Sequence, residues 1–276
     1  MNVRVGHSPD PDDAFMVWAI AERALDLRGF EIELVPADIQ TLNLWAAEGR
    51  LEATAMSVGA YPGVQHRYRL LGHGASLGEG YGPVVIARTQ LAPADLAGKR
   101  VAVPGAQTTA FLTARLALPA FEAVQVDFEG IMDAVESGDC AAGVVIHEGQ
   151  LTWEQEGFNR VLDLGAWWEG ETGGMPLPLG AVAMRRDVPE DRAIELSAVL
   201  KEAVAVGMQN REQALAYAIR YGRGIEPELN DRFVAMYVND LTLDYGERGR
   251  QAVAALLERG AAAGLLPTSV RLDFLD

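Results

Sequence analysis

The sequence predicts a two-lobed α/β protein with two crossover strands and a central ligand cleft, and three observations predict it. The first sixty residues read strand, helix, strand, helix, strand, the alternation of a parallel or largely parallel sheet. Two later stretches, Gly82-Pro83-Val84-Val85-Ile86-Ala87-Arg88 and Leu179-Gly180-Ala181-Val182-Ala183-Met184-Arg185, look alike, each a glycine-containing apolar strand ending in arginine. A complete second α/β unit lies between them. The chain has 276 residues, 49% of them hydrophobic, which suits two cores better than one. Read as crossovers, the paired strands make residues 1–86 and 186–276 a discontinuous first lobe and residues 87–185 an inserted second lobe.

Val3-Arg4-Val5-Gly6 alternates as the first strand, and His7-Ser8-Pro9-Asp10-Pro11-Asp12-Asp13 is too rich in proline and aspartate to continue it. Asp12 or Asp13 is expected to cap a helix from Ala14 to Leu25, with Phe15, Trp18, Ala19 and Leu25 at helical spacing. Ile32-Glu33-Leu34-Val35 is a second strand, Ile39 to Glu48 an amphipathic helix, and Ala53 to Ser57 a third strand. The inserted unit opens with a strand running into Pro104-Gly105, followed by Ala106-Gln107-Thr108-Thr109 and a helix from Ala110 to Leu118. A strand near Val124-Gln125-Val126, a helix from Gly130 to Ser137 and the strand before His147 complete it. Beyond the second crossover, the period predicts a helix from Glu190 to Ala218, with Pro189 at its start, then helices over Pro227–Val238 and Glu247–Ala263. These return to the first lobe.

Composition excludes several classes of function. With 23 basic and 39 acidic residues the formal charge is −16, which argues against general affinity for nucleic acid or anionic membrane. One cysteine, Cys140, forms no intramolecular disulfide. The N-terminal strand pattern carries no apolar signal region, and no stretch reaches the roughly 18 apolar residues of a membrane span, so a cytoplasmic location is expected. His7, His66, His73 and His147 show no His-x-x-x-His pairing and Cys140 has no thiolate partner, so no metal site is expected.

The candidate site centres on Val144-Val145-Ile146-His147-Glu148-Gly149-Gln150, an apolar strand running into a histidine. A histidine where a buried strand stops faces the region beyond the carboxyl ends of the strands, where α/β proteins bind ligands. A general base suits that place; a histidine that merely ends a core strand and bonds a neighbour fits the same stretch. Thr108-Thr109 sits where a strand turns into a helix, so hydroxyls and first-turn N–H groups can converge on an anion, although simple capping gives the same pattern. Ser57-Val58-Gly59 offers a second donor set, or a plain turn. The glycine-rich run from Gly72 to Pro83 precedes a strand and lacks Gly-Lys-Ser/Thr, so it reads as a hinge loop whose Glu79 or Tyr81 touches ligand. Trp167-Trp168 offers an aromatic wall or ordinary packing.

Four segments then carry a specific resemblance: Ser8 to Met16, Gly78 to Pro83, Pro104 to Ala110, and Ile146 to Thr152. Their order is similar to that in the 1,4-dihydroxy-6-naphthoate synthase family of menaquinone biosynthesis by the futalosine route. The similarity spans about the first 190 residues. It implies a type 2 periplasmic-binding-protein-like fold and a carbon–carbon lyase that uses no cofactor and acts on cyclic dehypoxanthinyl futalosine, a small-molecule carboxylate. It implies His147 as the base and Ser8, Asp12, Ser57, Val58, Tyr81, Thr108, Thr109 and Ile146 as substrate contacts. Many family members read Ser-Pro-Cys-Pro-Asn-Asp-Thr-Phe in the first loop, where this chain has Asp10, Asp12 and Ala14. Those acids would repel an adjacent anion. The chorismate dehydratase of the same pathway shares the fold and stands as one alternative, a non-catalytic carboxylate-binding module as another; a homodimer is left open.

Overall fold

The computed structural model describes residues 1–221 and 226–275. Strands β1 (Asn2–His7), β2 (Glu31–Pro36) and β3 (Ala53–Ser57) lie parallel with β1 in the middle, and Val3 and Val5 of β1 are buried. Helix α1 (Pro11–Ala21) begins three residues before the expected Ala14, with Asp10 at the cap position and no side-chain cap bond. Proline fits a first turn because its fixed φ is helical and its missing N–H would have had no acceptor there. Asp12 and Asp13 are therefore first-turn residues, where the helix dipole favours acids. Helix α2 (Ile39–Glu48) has the expected bounds; the Asp38 carboxylate accepts the Thr41 N–H at 3.0 Å, and Gly49 ends the helix with φ +73°.

The chain continues through α3 (Tyr61–Val64), β4 (Tyr68–Leu71), β5 (Ser76–Gly78) and β6 (Val84–Ala87). Next come β7 (Arg100–Val103), α4 (Thr109–Ala117), β8 (Glu122–Gln125), α5 (Ile131–Glu136), β9 (Ala142–Val145) and the short α6 (Gly149–Thr152). β10 (Asn159–Asp163), α7 (Leu164–Thr172) and β11 (Leu177–Arg185) lead to the helical tail. The tail holds α8 (Glu190–Gln209), α9 (Arg211–Ala218), α10 (Pro227–Tyr237), α11 (Asp240–Leu243) and α12 (Gly246–Ala262), and ends in β12 (Phe274–Leu275). The long helix expected from Glu190 breaks at Asn210, whose side-chain amide donates to the Val206 carbonyl at 2.8 Å. Such a local bond competes with the helix for its own acceptor.

Two sheets result. The first runs β12-β4-β11-β3-β1-β2, with β5 also paired to β11; the second runs β10-β6-β9-β7-β8. β7, β8 and β9 are parallel, as are β1, β2 and β3. The strands read as crossovers do not themselves cross: β6 belongs wholly to the second sheet and β11 wholly to the first. Both are apolar because they are ladder strands deep in their sheets, so the chain changes sheets before Val84 and again between Asp163 and Leu177. One continuous core carries Met56 and Tyr68 beneath the first sheet and Val85, Val101 and Val144 beneath the second. No helix among the described residues is long and apolar enough to cross a membrane.

Candidate active site

The carboxyl ends of β1, β3, β7 and β9 converge on a cleft of about 710 Å³, part of it open to solvent. Ligands in α/β folds bind at such strand ends because the following loops and helix N-termini turn their polar groups outward there. Ser8, Asp12, Ser57, Thr108, Thr109 and Ile146, all expected at the site, border this cleft. Among the described residues its wall carries Asp10, Asp12 and Asp13 but no lysine, arginine or histidine.

One wall is built of hydrogen-bond donors. Thr108 caps α4: its hydroxyl donates to the Gly105 carbonyl at 2.8 Å and accepts the Phe111 N–H at 3.2 Å. The Thr109 hydroxyl is also engaged, donating to the Leu179 carbonyl at 2.7 Å and accepting the Gly59 N–H at 3.0 Å, which ties the second sheet to the first. The backbone N–H groups of Thr109 and Ala110 open the helix, where geometry provides no intrahelical acceptor, and both residues border the cleft. The threonine hydroxyls are thus spent on shaping the wall. Facing them is Ser57, gripped by Asn43 of α2: the Ser57 N–H donates to Asn43 Oδ1 at 2.9 Å, and Asn43 Nδ2 donates to Ser57 Oγ at 3.1 Å. The sequence reading missed Asn43; its signal was a lone amide on the apolar side of α2, beside Leu42 and Ala46, all three buried.

A second part of the lining is acidic. The Ser8 N–H donates to Asp13 Oδ2 at 2.6 Å, the Ser8 hydroxyl to Asp10 Oδ2 at 2.8 Å, and the Ser76 hydroxyl to Asp12 Oδ2 at 3.2 Å. Burial, reinforced by the charges of Asp13 and Asp10, raises Asp12 well above the usual carboxylate range. Burial likewise pushes Asp13 up to about 7, against the Ser8 N–H that favours its charged form and with the Asp10 charge that opposes it. A protonated Asp12 presents an O–H donor and does not repel an anion as a carboxylate would.

The third wall is the loop after β9. Ile146 and Gln150 border the cleft, whereas His147 lies just behind that wall, 8% exposed, with its ring edge-on to Phe128 at 5.8 Å. His147 Nδ1 accepts the Gly149 N–H at 3.0 Å, and Glu148 Oε2 stands 4.0 Å from the same nitrogen. Gln150 Oε1 accepts the Tyr237 hydroxyl at 2.7 Å, so α10 of the tail closes this side. Burial, with the Asp12 charge next, raises the Tyr237 phenol well above its ordinary range. Phe233 and Tyr237 escaped the sequence reading, which took the tail helices only as completing a lobe.

Two expected contacts fall elsewhere. Val58 is fully buried in the core below Ser57. The Tyr81 hydroxyl donates to the Met236 carbonyl and the ring packs edge-on to Tyr237 at 5.8 Å, so Tyr81 supports the wall from behind. Glu79 pairs with Arg248. Trp168 is a core residue whose indole N–H donates to the Pro176 carbonyl at 3.0 Å, and Trp167 packs on it. Close approach accounts for one glycine of the glycine-rich run and for one of α7 that packs on it: a Cβ on Gly78 would lie 2.0 Å from the Tyr81 carbonyl oxygen, and a Cβ on Gly165 would lie 2.0 Å from the Tyr81 carbonyl carbon and 2.5 Å from the Gly82 nitrogen.

Residues 3–262 match the family described as menaquinone biosynthesis. The chain belongs to this family. A relative from Thermus thermophilus named 1,4-dihydroxy-6-naphthoate synthase is 40% identical over 273 residues, 99% of each chain. A solved structure of a protein from Archaeoglobus fulgidus is similar at TM-score 0.92 and 43% identity, covering 96% of this chain and 98% of that one. An alkanesulfonate-binding protein from Xanthomonas axonopodis matches at TM-score 0.71 and 17% identity over 96% of this chain and 94% of its own. At that identity the likeness is one of fold alone. The family member described here therefore has the two-lobed architecture of the type 2 periplasmic binding proteins.

Proposed function

We propose that the chain is a carbon–carbon lyase that converts cyclic dehypoxanthinyl futalosine to 1,4-dihydroxy-6-naphthoate, with His147 as general base. The observation that carries this reading is the cleft itself, bounded by backbone and serine donors on one wall and by the His147 loop on another, in a chain whose full-length relative bears the synthase name. The substrate carboxylate is assigned to the Ser57 hydroxyl and the first-turn N–H groups of α4, where the helix dipole also favours an anion. The sugar-derived part then lies toward Asp12, Asp13 and Ser76, which exchange hydrogen bonds with hydroxyl groups.

In the neutral imidazole, accepting the Gly149 N–H places the proton on Nε2. To act as a base through Nε2, His147 must release that bond and carry its proton on Nδ1, and the Glu148 carboxylate 4.0 Å away is the group that would hold it. His147 then takes the proton of a substrate hydroxyl. The resulting alkoxide collapses to a carbonyl as the adjacent carbon–carbon bond breaks, and the bonding electron pair passes to the naphthoate fragment. Closure of the lobes keeps water out while this happens.

The test is incubation of the purified protein with cyclic dehypoxanthinyl futalosine and, separately, with chorismate. Naphthoate is expected from the first alone. Turnover of chorismate would reassign the chain to the dehydratase reaction, and tight binding without turnover of either would make it a binding module.

A further inference from the structure

Asn43 sits on α2, 1% exposed, and has the geometry of an orienting clamp. A backbone N–H can only donate, so the Ser57 N–H settles which end of the Asn43 amide faces it: the oxygen, at 2.9 Å. The amide nitrogen must then face Ser57 Oγ, to which it donates at 3.1 Å. A hydroxyl that accepts from a committed donor has to send its own proton elsewhere. Ser57 borders the cleft and is 3% exposed, so the direction left for that proton is the ligand space. The same Asn43 nitrogen lies 3.5 Å from the Gln107 carbonyl of the second sheet's loop, and Gln107 N–H donates to Gln40 Oε1 at 3.2 Å one turn earlier on α2. The docked loop thus gives the Asn43 amide a second acceptor, while the clamp on Ser57 is made within α2 and β3 alone.

We infer that Asn43 is a positioning residue that commits the Ser57 hydroxyl as a donor to the ligand's carboxylate. This rests on the carboxylate-binding reading of the cleft given above. Asparagine differs here from aspartate in a way that isolates the role. Asn43→Asp keeps an oxygen for the Ser57 N–H and nearly the same shape, yet its second oxygen accepts where the amide donated. The Ser57 proton would turn toward α2, leaving only lone pairs facing the carboxylate.

The probes are 1,4-dihydroxy-6-naphthoate and 1,4-naphthalenediol, which lacks the carboxylate, titrated calorimetrically into the wild type, Asn43→Asp, Ser57→Ala and the double variant. Asn43→Asp is expected to weaken naphthoate binding about tenfold or more, the scale of a charge-assisted hydrogen bond. It should change binding of the diol by less than about twofold, the limit expected when the lost bond goes only to the carboxylate. The double variant should bind naphthoate no more weakly than the weaker single variant, because the two changes remove one interaction. Equal losses for both probes would reduce Asn43 to a structural role, and unchanged naphthoate affinity would overturn the inference outright. Failure of the parent reading looks different: the wild type itself would neither bind naphthoate in preference to the diol nor turn over cyclic dehypoxanthinyl futalosine.

Discussion

Asp13→Asn should change how the stability of this protein depends on pH. An aspartate in the unfolded chain titrates near 3.8, whereas burial in the first turn of α1 pushes Asp13 to about 7. The folded form therefore holds its proton through a range in which the unfolded form has lost it, so stability falls as pH rises from about 4 to about 7 and levels off above. Below about 4 both states are protonated and the effect vanishes. At about 1.4 kcal/mol for each tenfold difference in proton affinity, the full rise corresponds to about 4 kcal/mol as an upper figure. The amide oxygen of asparagine can still accept the Ser8 N–H that now donates to Asp13 Oδ2 at 2.6 Å, so the substitution removes the titration and keeps that bond. Urea unfolding, followed by the fluorescence of the five tryptophans, would be compared at pH 4, 6 and 8. The variant should match the wild type at pH 4 and exceed it by an amount approaching that figure at pH 8. Asp12 is raised by burial and next by the Asp13 charge, so Asp13→Asn also lowers Asp12 toward its ordinary range and adds to the gain at pH 8. A stability difference that stays constant across the range, or a variant weaker at pH 8, would refute the reasoning.

Three further outcomes are expected. His147→Asn should bind naphthoate like the wild type in calorimetry and lose turnover by about 10²-fold or more, the usual scale of a general base; retained turnover would remove it from the chemistry. Thr109→Val leaves the Leu179 carbonyl and the Gly59 N–H without their 2.7 and 3.0 Å partner, so unfolding experiments should show a loss of about 2 kcal/mol or more. Gly165→Ala places a methyl 2.0 Å from the Tyr81 carbonyl carbon, backbone that has no rotamer to yield, and should cost about 3 kcal/mol or leave the protein insoluble on expression.

Much of the fold was legible because its signals are local. Helical spacing in Ile39–Glu48 and a short strand-length run in Ala53–Ser57 were enough to place α2 and β3 to the residue, since both signals are complete within a few neighbouring positions. The first helix was misplaced for an equally local reason: Pro11 was counted as loop when it is a first-turn residue. The break at Asn210 was invisible to periodicity, because one side-chain bond interrupts a pattern that continues on both sides of it.

What the sequence by itself determined was the α/β alternation, the second α/β unit between two like strands, and the ordered segments that mark the family. Tertiary structure alone decided which sheet each like strand joins, since an apolar run of that length suits either and only its hydrogen-bonded neighbours choose. It also decided who meets at the cleft. Asn43 reaches Ser57 across 14 residues and Tyr237 reaches Gln150 across 87, separations over which no period or spacing carries information. The same holds for His147: the strand end was readable, but its place one layer behind the wall made by Ile146 and Gln150 comes from the turn that draws its ring back to the Gly149 N–H. Local pattern sets the elements; long-range packing sets which polar groups are left facing the same space.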